Sequence, residues 1–108
     1  GFQMATRRPP WDLLEEKDAE MARLHDQLDR MAFSDGHLPG KIRLLMAMAI
    51  DAVVVGAEGG VTVYARRARE AGATEAEIFE AVRVASLIGG TRGQTTALRG
   101  LEPVVRGR

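Results

Sequence analysis

The sequence predicts an all-α fold of about five to six helices, because its apolar residues recur with helical spacing. The clearest example is an N-terminal stripe at heptad-like intervals, formed by Trp11, Leu14, Met21, Leu24, Leu28 and Met31. A second indication is Thr74-Glu75-Ala76-Glu77, which has the pattern of a helix capping box. No stretch longer than residues 61–64 alternates apolar and polar residues as a strand would, and that stretch also fits a helix.

The first helix is predicted to begin at Trp11 and to end at the polar, glycine-containing residues 34–37. The second begins near Pro39, since proline is tolerated in the first turn of a helix. Residues 44–55 are apolar on nearly every side, which is typical of a central, buried helix. Asp51 is the only charged residue in this run.

The glycine-rich sequence Gly56-Ala57-Glu58-Gly59-Gly60 interrupts the chain before a third helix over residues 61–71. Gly72 is placed to end that helix in the left-handed conformation, and the capping box then starts a fourth. Gly89-Gly90 ends or kinks the fourth helix, and a short fifth helix follows. We therefore predict a flexible arm with a tag remnant over residues 1–10, a helical domain over 11–102 and a tail over 103–108.

Composition excludes several classes of function. Lys plus Arg and Asp plus Glu number 15 each, so neither nucleic acid nor an anionic membrane surface is an expected partner. The chain has no cysteine, which excludes disulfides, thiolate metal sites and thiol catalysis. No apolar run reaches the roughly 18 residues of a membrane span, and no signal peptide is visible, so a cytoplasmic location is expected. Aromatic residues make up only 5% of the chain, and a core of small side chains favours oligomerisation.

Three segments carry a family resemblance: LPGKIRLL at residues 38–45, YARRAREAGATEAEI at residues 64–78, and Gly89-Gly90. Together with the alanine-rich apolar helix between the first two, they resemble the core of the carboxymuconolactone decarboxylase or AhpD-like family over residues 38–101. The resemblance implies an all-α fold whose helices interlock between the subunits of a homo-oligomer, a homotrimer or a homohexamer.

Peroxidase members of this family carry a Cys-x-x-Cys pair, a histidine shortly after it and a glutamate on the preceding helix. Matching by the third helix places the two cysteines at Ala57 and Gly60, the histidine at Tyr64, and the glutamate at Leu44 or Leu45. A methyl group or a hydrogen atom cannot replace a thiolate nucleophile, so the chain is not expected to be a thiol peroxidase. Decarboxylase members also lack the cysteine pair. They tend to have a histidine at the position of Tyr64, and their acidic residues near the loop match Glu58 approximately.

Two residues near the glycine-rich segment are candidates for catalysis. Tyr64 lies on the apolar face of the third helix. Its phenol is either a general acid and hydrogen-bond donor to a carboxylate substrate, or a core tyrosine whose hydroxyl is satisfied at an edge. Glu58, placed in the loop, is either a base or ligand anchor, or a solvated loop charge.

Asp51 and a group of arginines are candidates for substrate binding. A buried carboxylate is unstable unless it is paired, so a structural ion pair of Asp51 competes with a role in the site. The expected partners are Arg66, Arg67 and Arg83. Arg66 and Arg67, with the neighbouring Arg69, either bind an anionic substrate or form a solvated helix face or an intersubunit surface.

These candidates leave three functions open. The first is an enzyme that uses acid–base catalysis for decarboxylation or lactone chemistry on a small carboxylate. The second is a non-catalytic oligomeric binding or scaffold protein that has kept the fold. The third, a helix-turn-helix DNA-binding protein, is disfavoured because its recognition helix would present Glu75, Glu77 and Glu80 to phosphates. We expect no cofactor, and no metal because His25 and His37 lack a second ligand at usable spacing.

Overall fold

A computed structural model describes residues 8–107 of the chain. Within this range the backbone forms helices joined by turns and contains no strand, so the all-α prediction is confirmed. The chain divides into two compact units, one ending at Ser34 and the other beginning at Asp35. Residues 1–7 of the predicted N-terminal arm lie outside the described residues. No helix between residues 8 and 107 is both long and apolar enough to cross a membrane.

Between residues 8 and 34 the chain forms two helices where the apolar stripe predicts one. Helix α1 spans Trp11–Lys17 and helix α2 spans Ala19–Phe33. Asp18 separates them because it leaves the helical conformation (φ −150°, ψ 76°) and its carboxylate accepts a hydrogen bond from the N–H of Met21. This aspartate therefore caps the start of α2, a role that its short acceptor side chain suits.

The second unit contains the remaining helices and a π-helical segment. Helix α3 spans Gly40–Ile50 and continues directly as a π-helix over Asp51–Val55. Helix α4 spans Glu58–Glu70, and helix α5 spans Glu75–Arg106. Inside α5, Gly90 has φ 64° and ψ −158°, a combination that is open essentially to glycine alone.

The kink at Gly90 confirms that Gly89-Gly90 interrupts this helix. The prediction of a tail from residue 103 is wrong, because α5 continues through Pro103 to Arg106. The prediction that Glu58 lies in a loop is also wrong, because α4 begins at Glu58 rather than at Val61.

Close contact between α4 and α5 fixes the start of α4. A Cβ atom at Gly100 of α5 would lie only 2.6 Å from both the backbone oxygen of Glu58 and Cβ of Val61. The hydroxyl of Thr62 donates to the backbone oxygen of Gly100 at 2.5 Å. The largest fully buried side chains of the described residues are Met48, Val61, Ile78 and Leu101, and Val61 takes part in this contact. The helix that carries the candidate catalytic residues is therefore anchored in the core at its first turns.

The predicted capping box starts α5. The N–H of Glu77 donates to Oγ1 of Thr74 at 3.0 Å, and the N–H of Thr74 donates to Oε1 of Glu77 at 2.9 Å. Nζ of Lys41 lies 2.9 Å from Oε2 of Glu77, so the same carboxylate joins the start of α3 to the start of α5. The hydrogen bond from Thr74, followed by that from Lys41, lowers the pKa of Glu77.

Replacing Glu77 with glutamine is expected to lower the melting temperature by a few degrees at neutral pH, because the amide removes the charge that pairs with Lys41. The folded-state pKa of Glu77 lies below the usual value of 4.5, so its stabilisation is present above that pH. The stabilisation is lost as the pH falls through the folded-state pKa. Thermal unfolding from neutral to acidic pH should therefore show the two proteins converging in acid. Glu75→Gln, the same change in the same turn, is the control, and a difference that persisted in acid would contradict this expectation.

Candidate functional site

A π-helix brings Asp51 to the start of α4. Gly56 ends the π-helix in the left-handed conformation (φ 69°), and its N–H donates to the backbone oxygen of Asp51. The N–H of Ala57 donates to the same oxygen at 3.0 Å. The chain turns so tightly here that α4 begins at the next residue, Glu58. Such π-helical segments occur frequently at functional sites.

The carboxylate of Asp51 lies directly against Gly60, in the first turn of α4. A Cβ atom at position 60 would overlap Oδ2 of Asp51 and would lie 2.9 Å from its Cγ. Burial raises the pKa of Asp51 above its usual value of 3.8, because lost hydration disfavours the charged form. Within residues 8–107 no charged group contributes to this shift, so the expected ion pair with Arg66, Arg67 or Arg83 is not formed.

Tyr64 and Arg67 lie on the same side of α4 as Gly60. Gly60 and Tyr64 are four residues apart and Arg67 follows three residues later, so all three lie along one face of the helix. The guanidinium carbon of Arg67 is 5.8 Å from the centre of the half-buried Tyr64 ring, within the range of a cation–π contact. Asp51 is therefore next to the face of α4 that carries the phenol.

Glu58 lies on a different face of α4, about 120° around the helix axis from Tyr64. Its carboxylate is 3.7 Å from a guanidinium nitrogen of Arg99 on α5. Thr62, one turn further on the same face, donates to Gly100 of α5. The structure thus places Glu58 toward α5 rather than beside Tyr64.

The arginines of α4 do not form one cluster. Arg67 lies over the Tyr64 ring, Arg66 is exposed, and Arg69 donates to the backbone oxygen of Val104 at 3.2 Å. Of the predicted substrate-binding residues, Arg67 and Asp51 therefore belong to the face of Tyr64, and Arg66 does not.

The sequence model of the carboxymuconolactone decarboxylase family matches residues 19–103. The chain belongs to this family. The apo form of lpg0406, a carboxymuconolactone decarboxylase family protein from Legionella pneumophila, has a similar structure, with a TM-score of 0.81 and 23% sequence identity. The similarity covers 88% of this chain and 84% of that chain, and at this identity it shows the shared fold. No curated protein matches the chain.

The two positions matched to the thiols of peroxidase members of the carboxymuconolactone decarboxylase family lie where the π-helix meets the start of α4. Ala57 immediately precedes α4, and Gly60 lies against Asp51. Leu44 and Leu45, matched to the glutamate, are buried in α3. The junction therefore presents a carboxyl group and a phenol where peroxidase members present thiols and a histidine. Among residues 8–107, no three His, Asp or Glu side chains come close enough together to hold a metal ion.

Sequence reasoning missed two arginines that α5 brings to the start of α4. Arg99 pairs with Glu58, and a Cβ atom at Gly56 would lie 3.5 Å from Nη2 of Arg92. No local pattern identifies these residues, because each is far in sequence from the group it approaches.

Two clefts of the second unit lie away from Tyr64 and Glu58. One, of about 380 Å³, is lined by apolar residues of α3 and α5 with two glutamates, namely Ile42, Leu45, Met46, Ala49, Glu77, Glu80, Ala81 and Val84. The other, of about 250 Å³, is lined by Phe79, Leu98, Leu101, Glu102, Val105 and Arg106. Neither cleft is lined by Tyr64 or Glu58, so neither is the shared pocket predicted for these two residues.

Proposed function

We propose that the chain catalyses decarboxylation or lactone-type acid–base chemistry on a small carboxylate at the Tyr64 face of α4. The observation that carries the proposal is the cation–π contact at 5.8 Å between Arg67 and the ring of Tyr64. It sets a guanidinium beside a half-buried phenol, on the face of α4 that lies next to the π-helix and Asp51. Glu58 lies 3.7 Å from Arg99 of α5 and takes no part in the proposed reaction.

The two groups fit the electronic demand of such a reaction. Loss of CO₂ leaves an electron pair that must pass into a carbonyl group, whose oxygen then becomes negative. The phenol of Tyr64 can donate a hydrogen bond to that oxygen as the charge develops. The guanidinium of Arg67 suits a second carboxylate that the substrate retains. Binding and charge stabilisation thus come from neighbouring positions on one helix.

Tyr64→Phe is expected to lower kcat on γ-carboxymuconolactone by about 100-fold or more, because the hydrogen bond to the developing negative oxygen is lost. Purified protein is mixed with γ-carboxymuconolactone and related unsaturated lactone acids, and CO₂ release is followed. Arg67→Gln should raise KM, whereas Arg106→Gln, at the exposed end of α5, is the matched control. Absence of turnover by the wild type, or full activity of Tyr64→Phe, would refute the proposal.

The alternative is a non-catalytic oligomeric binding or scaffold protein. The replacement of every residue matched to the peroxidase relay favours it, since a protein that serves only as a scaffold needs none of them. The same assay separates the two functions. A folded, assembled protein that turns over none of the lactone acids would support the scaffold.

We also propose that the chain assembles as a homotrimer or homohexamer through an exposed apolar face. This face comprises Met46, Ile50, Val54, Val84, Leu87 and Ile88, whose exposed fractions range from 49% to 82%. Met46 and Val84 line one cleft, so the rows from α3 and α5 adjoin. Full burial of such a side chain contributes about 1.5–3 kcal/mol, and each of these side chains would gain the share of it that corresponds to its exposed fraction, which favours association.

A further inference from the structure

We propose that Asp51 faces the bound substrate and acts as its proton donor. The inference rests on the proposed function. In that reaction a carbon atom of the substrate must take up a proton, and neither Tyr64 nor Arg67 is assigned to supply it. This role differs from the two that the sequence predicts for Asp51, which are a structural ion pair and substrate binding.

The position of the carboxyl group supports this role. Asp51 occupies the volume that a side chain at position 60 would fill, and Tyr64 lies one helical turn away on the same face. Neighbouring side-chain positions on such a face are about 5–6 Å apart. A small ring that accepts a hydrogen bond from Tyr64 through its carbonyl oxygen therefore presents its neighbouring carbon atoms toward Asp51.

The absence of a side chain at Gly60 is what admits the carboxyl group. Matching by helix α4 places the second peroxidase thiol at this position. A cysteine there would collide with Asp51, since even its Cβ atom would overlap Oδ2. The carboxyl group of Asp51 thus occupies the space that a side chain at position 60 would fill. Asp51 can hold this position only because residue 60 is a glycine.

The protonation state of Asp51 suits a donor. Burial raises its pKa, so the carboxyl group keeps its proton to higher pH than a solvated aspartate does. Of the charged groups on the neighbouring helices, Glu58 lies 3.7 Å from Arg99 and Arg67 lies over the Tyr64 ring, while Arg92 passes close to Gly56. An acid whose pKa is moved toward neutral pH is the better general acid.

The proposed reaction moves one proton from Asp51 to a carbon atom of the substrate. The bond between the substrate carbon and its carboxylate breaks, CO₂ leaves, and the electron pair passes through the conjugated double bond into the lactone carbonyl. The carbon next to that carbonyl then takes the proton of Asp51, and the carbonyl double bond re-forms. Asp51 is left as a carboxylate and regains a proton from water, so no oxidant or reductant is needed.

Asp51→Asn tests the donor directly, because the amide keeps the shape and cannot supply the proton. We expect kcat to fall about 100-fold or more, while Glu80→Gln, an exposed glutamate of α5, keeps wild-type activity. In the wild type, kcat/KM should decrease as the pH rises through the pKa of Asp51, and this limb should vanish in Asp51→Asn. Activity of Asp51→Asn within about threefold of wild type would overturn the inference and leave the proposed function standing.

Folding of the variants is checked separately. Because the folded-state pKa of Asp51 is raised, stability falls as the pH rises above the usual value of 3.8, and the loss is complete above the folded-state pKa. Asp51→Asn should therefore melt at the same or a higher temperature than wild type at neutral pH. Gly60→Ala should also lose activity, since its methyl group displaces Asp51, whereas Gly59→Ala has no atom within 4 Å of its new methyl group and should stay active.

A measurement without turnover distinguishes this inference from the proposed function. The side-chain carboxyl carbon of Asp51, assigned by its loss in Asp51→Asn, is titrated by ¹³C NMR with and without saturating succinate. A dicarboxylate bound beside Asp51 should raise its pKa, because a neighbouring negative charge disfavours ionisation. A raised pKa without turnover would refute the decarboxylase and still support Asp51 as a group facing the ligand. An unchanged pKa with bound succinate would overturn the inference.

Discussion

Gly100→Ala is expected to lower the free energy of unfolding by about 1–3 kcal/mol, although alanine is the better helix former. The new methyl group would lie 2.6 Å from the backbone oxygen of Glu58 and 2.6 Å from Cβ of Val61. One of these atoms belongs to the backbone and the other is bonded to it, so no change of rotamer relieves the overlap. Helix α4 would have to move away from α5.

The matched control is Gly59→Ala, since no atom lies within 4 Å of the methyl group that it would add. This variant should be as stable as wild type or up to about 1 kcal/mol more stable, because glycine is a poor helix former. Urea unfolding followed by circular dichroism measures both. Equal stability of the two variants would mean that α4 and α5 do not approach each other closely at Gly100.

The contact at Gly100 also matters for the candidate site. It holds the first turn of α4, which presents Gly60 to Asp51 on one face and Glu58 to Arg99 on another. A shift of α4 would therefore move Tyr64 relative to the π-helix. We infer that the close packing of small residues serves the geometry of the site as well as stability.

Several helix ends were predictable because they depend on residues that are close in sequence. Thr74 and Glu77 cap α5 with their own side chains and N–H groups. Gly72 has a φ of +102° after α4, and Gly90 interrupts α5. In each case a side chain three residues away, or the lack of a Cβ atom, decides the backbone conformation.

The start of α4 was not predictable from local pattern. Gly59-Gly60 favours a loop, since each glycine costs a helix roughly 0.5–1 kcal/mol relative to alanine. Tertiary contacts offset that cost, because Asp51 fills the space beside Gly60 and Gly100 packs against the turn. The π-helix was missed for the same reason: an apolar run shows where a helix is buried and not how its backbone is wound.

In the candidate site, too, contacts between residues close in sequence were predictable, and contacts made by the packing of helices were not. Tyr64 and Arg67 are three residues apart on one helix, so their proximity follows from sequence alone. The partner of Glu58 is Arg99, which only the packing of α5 on α4 brings near. Asp51 was singled out correctly as an unusual charge, but its neighbour is a glycine rather than an arginine.

Leu87→Glu is expected to convert the proposed homotrimer or homohexamer into single chains. Leu87 has the largest exposed fraction of the apolar face, 82%, so the substitution adds a charge without disturbing the core. In an assembly that covers this face, an unpaired carboxylate would be buried, at a cost of several kcal/mol. A cost of about 3 kcal/mol weakens association more than 100-fold, which separates the two states at micromolar concentration.

Size-exclusion chromatography with light scattering measures the masses, and circular dichroism checks that the helices remain. Gln94→Glu introduces the same negative charge at an exposed polar position of α5 and should leave the assembly intact. If the wild type is a single chain, the apolar face has no partner of its own kind and the proposed assembly is wrong. If both Leu87→Glu and Gln94→Glu keep the mass of the wild-type assembly, the subunits meet through a different surface. An interface at the apolar face would bury the unpaired carboxylate of Leu87→Glu and would therefore dissociate.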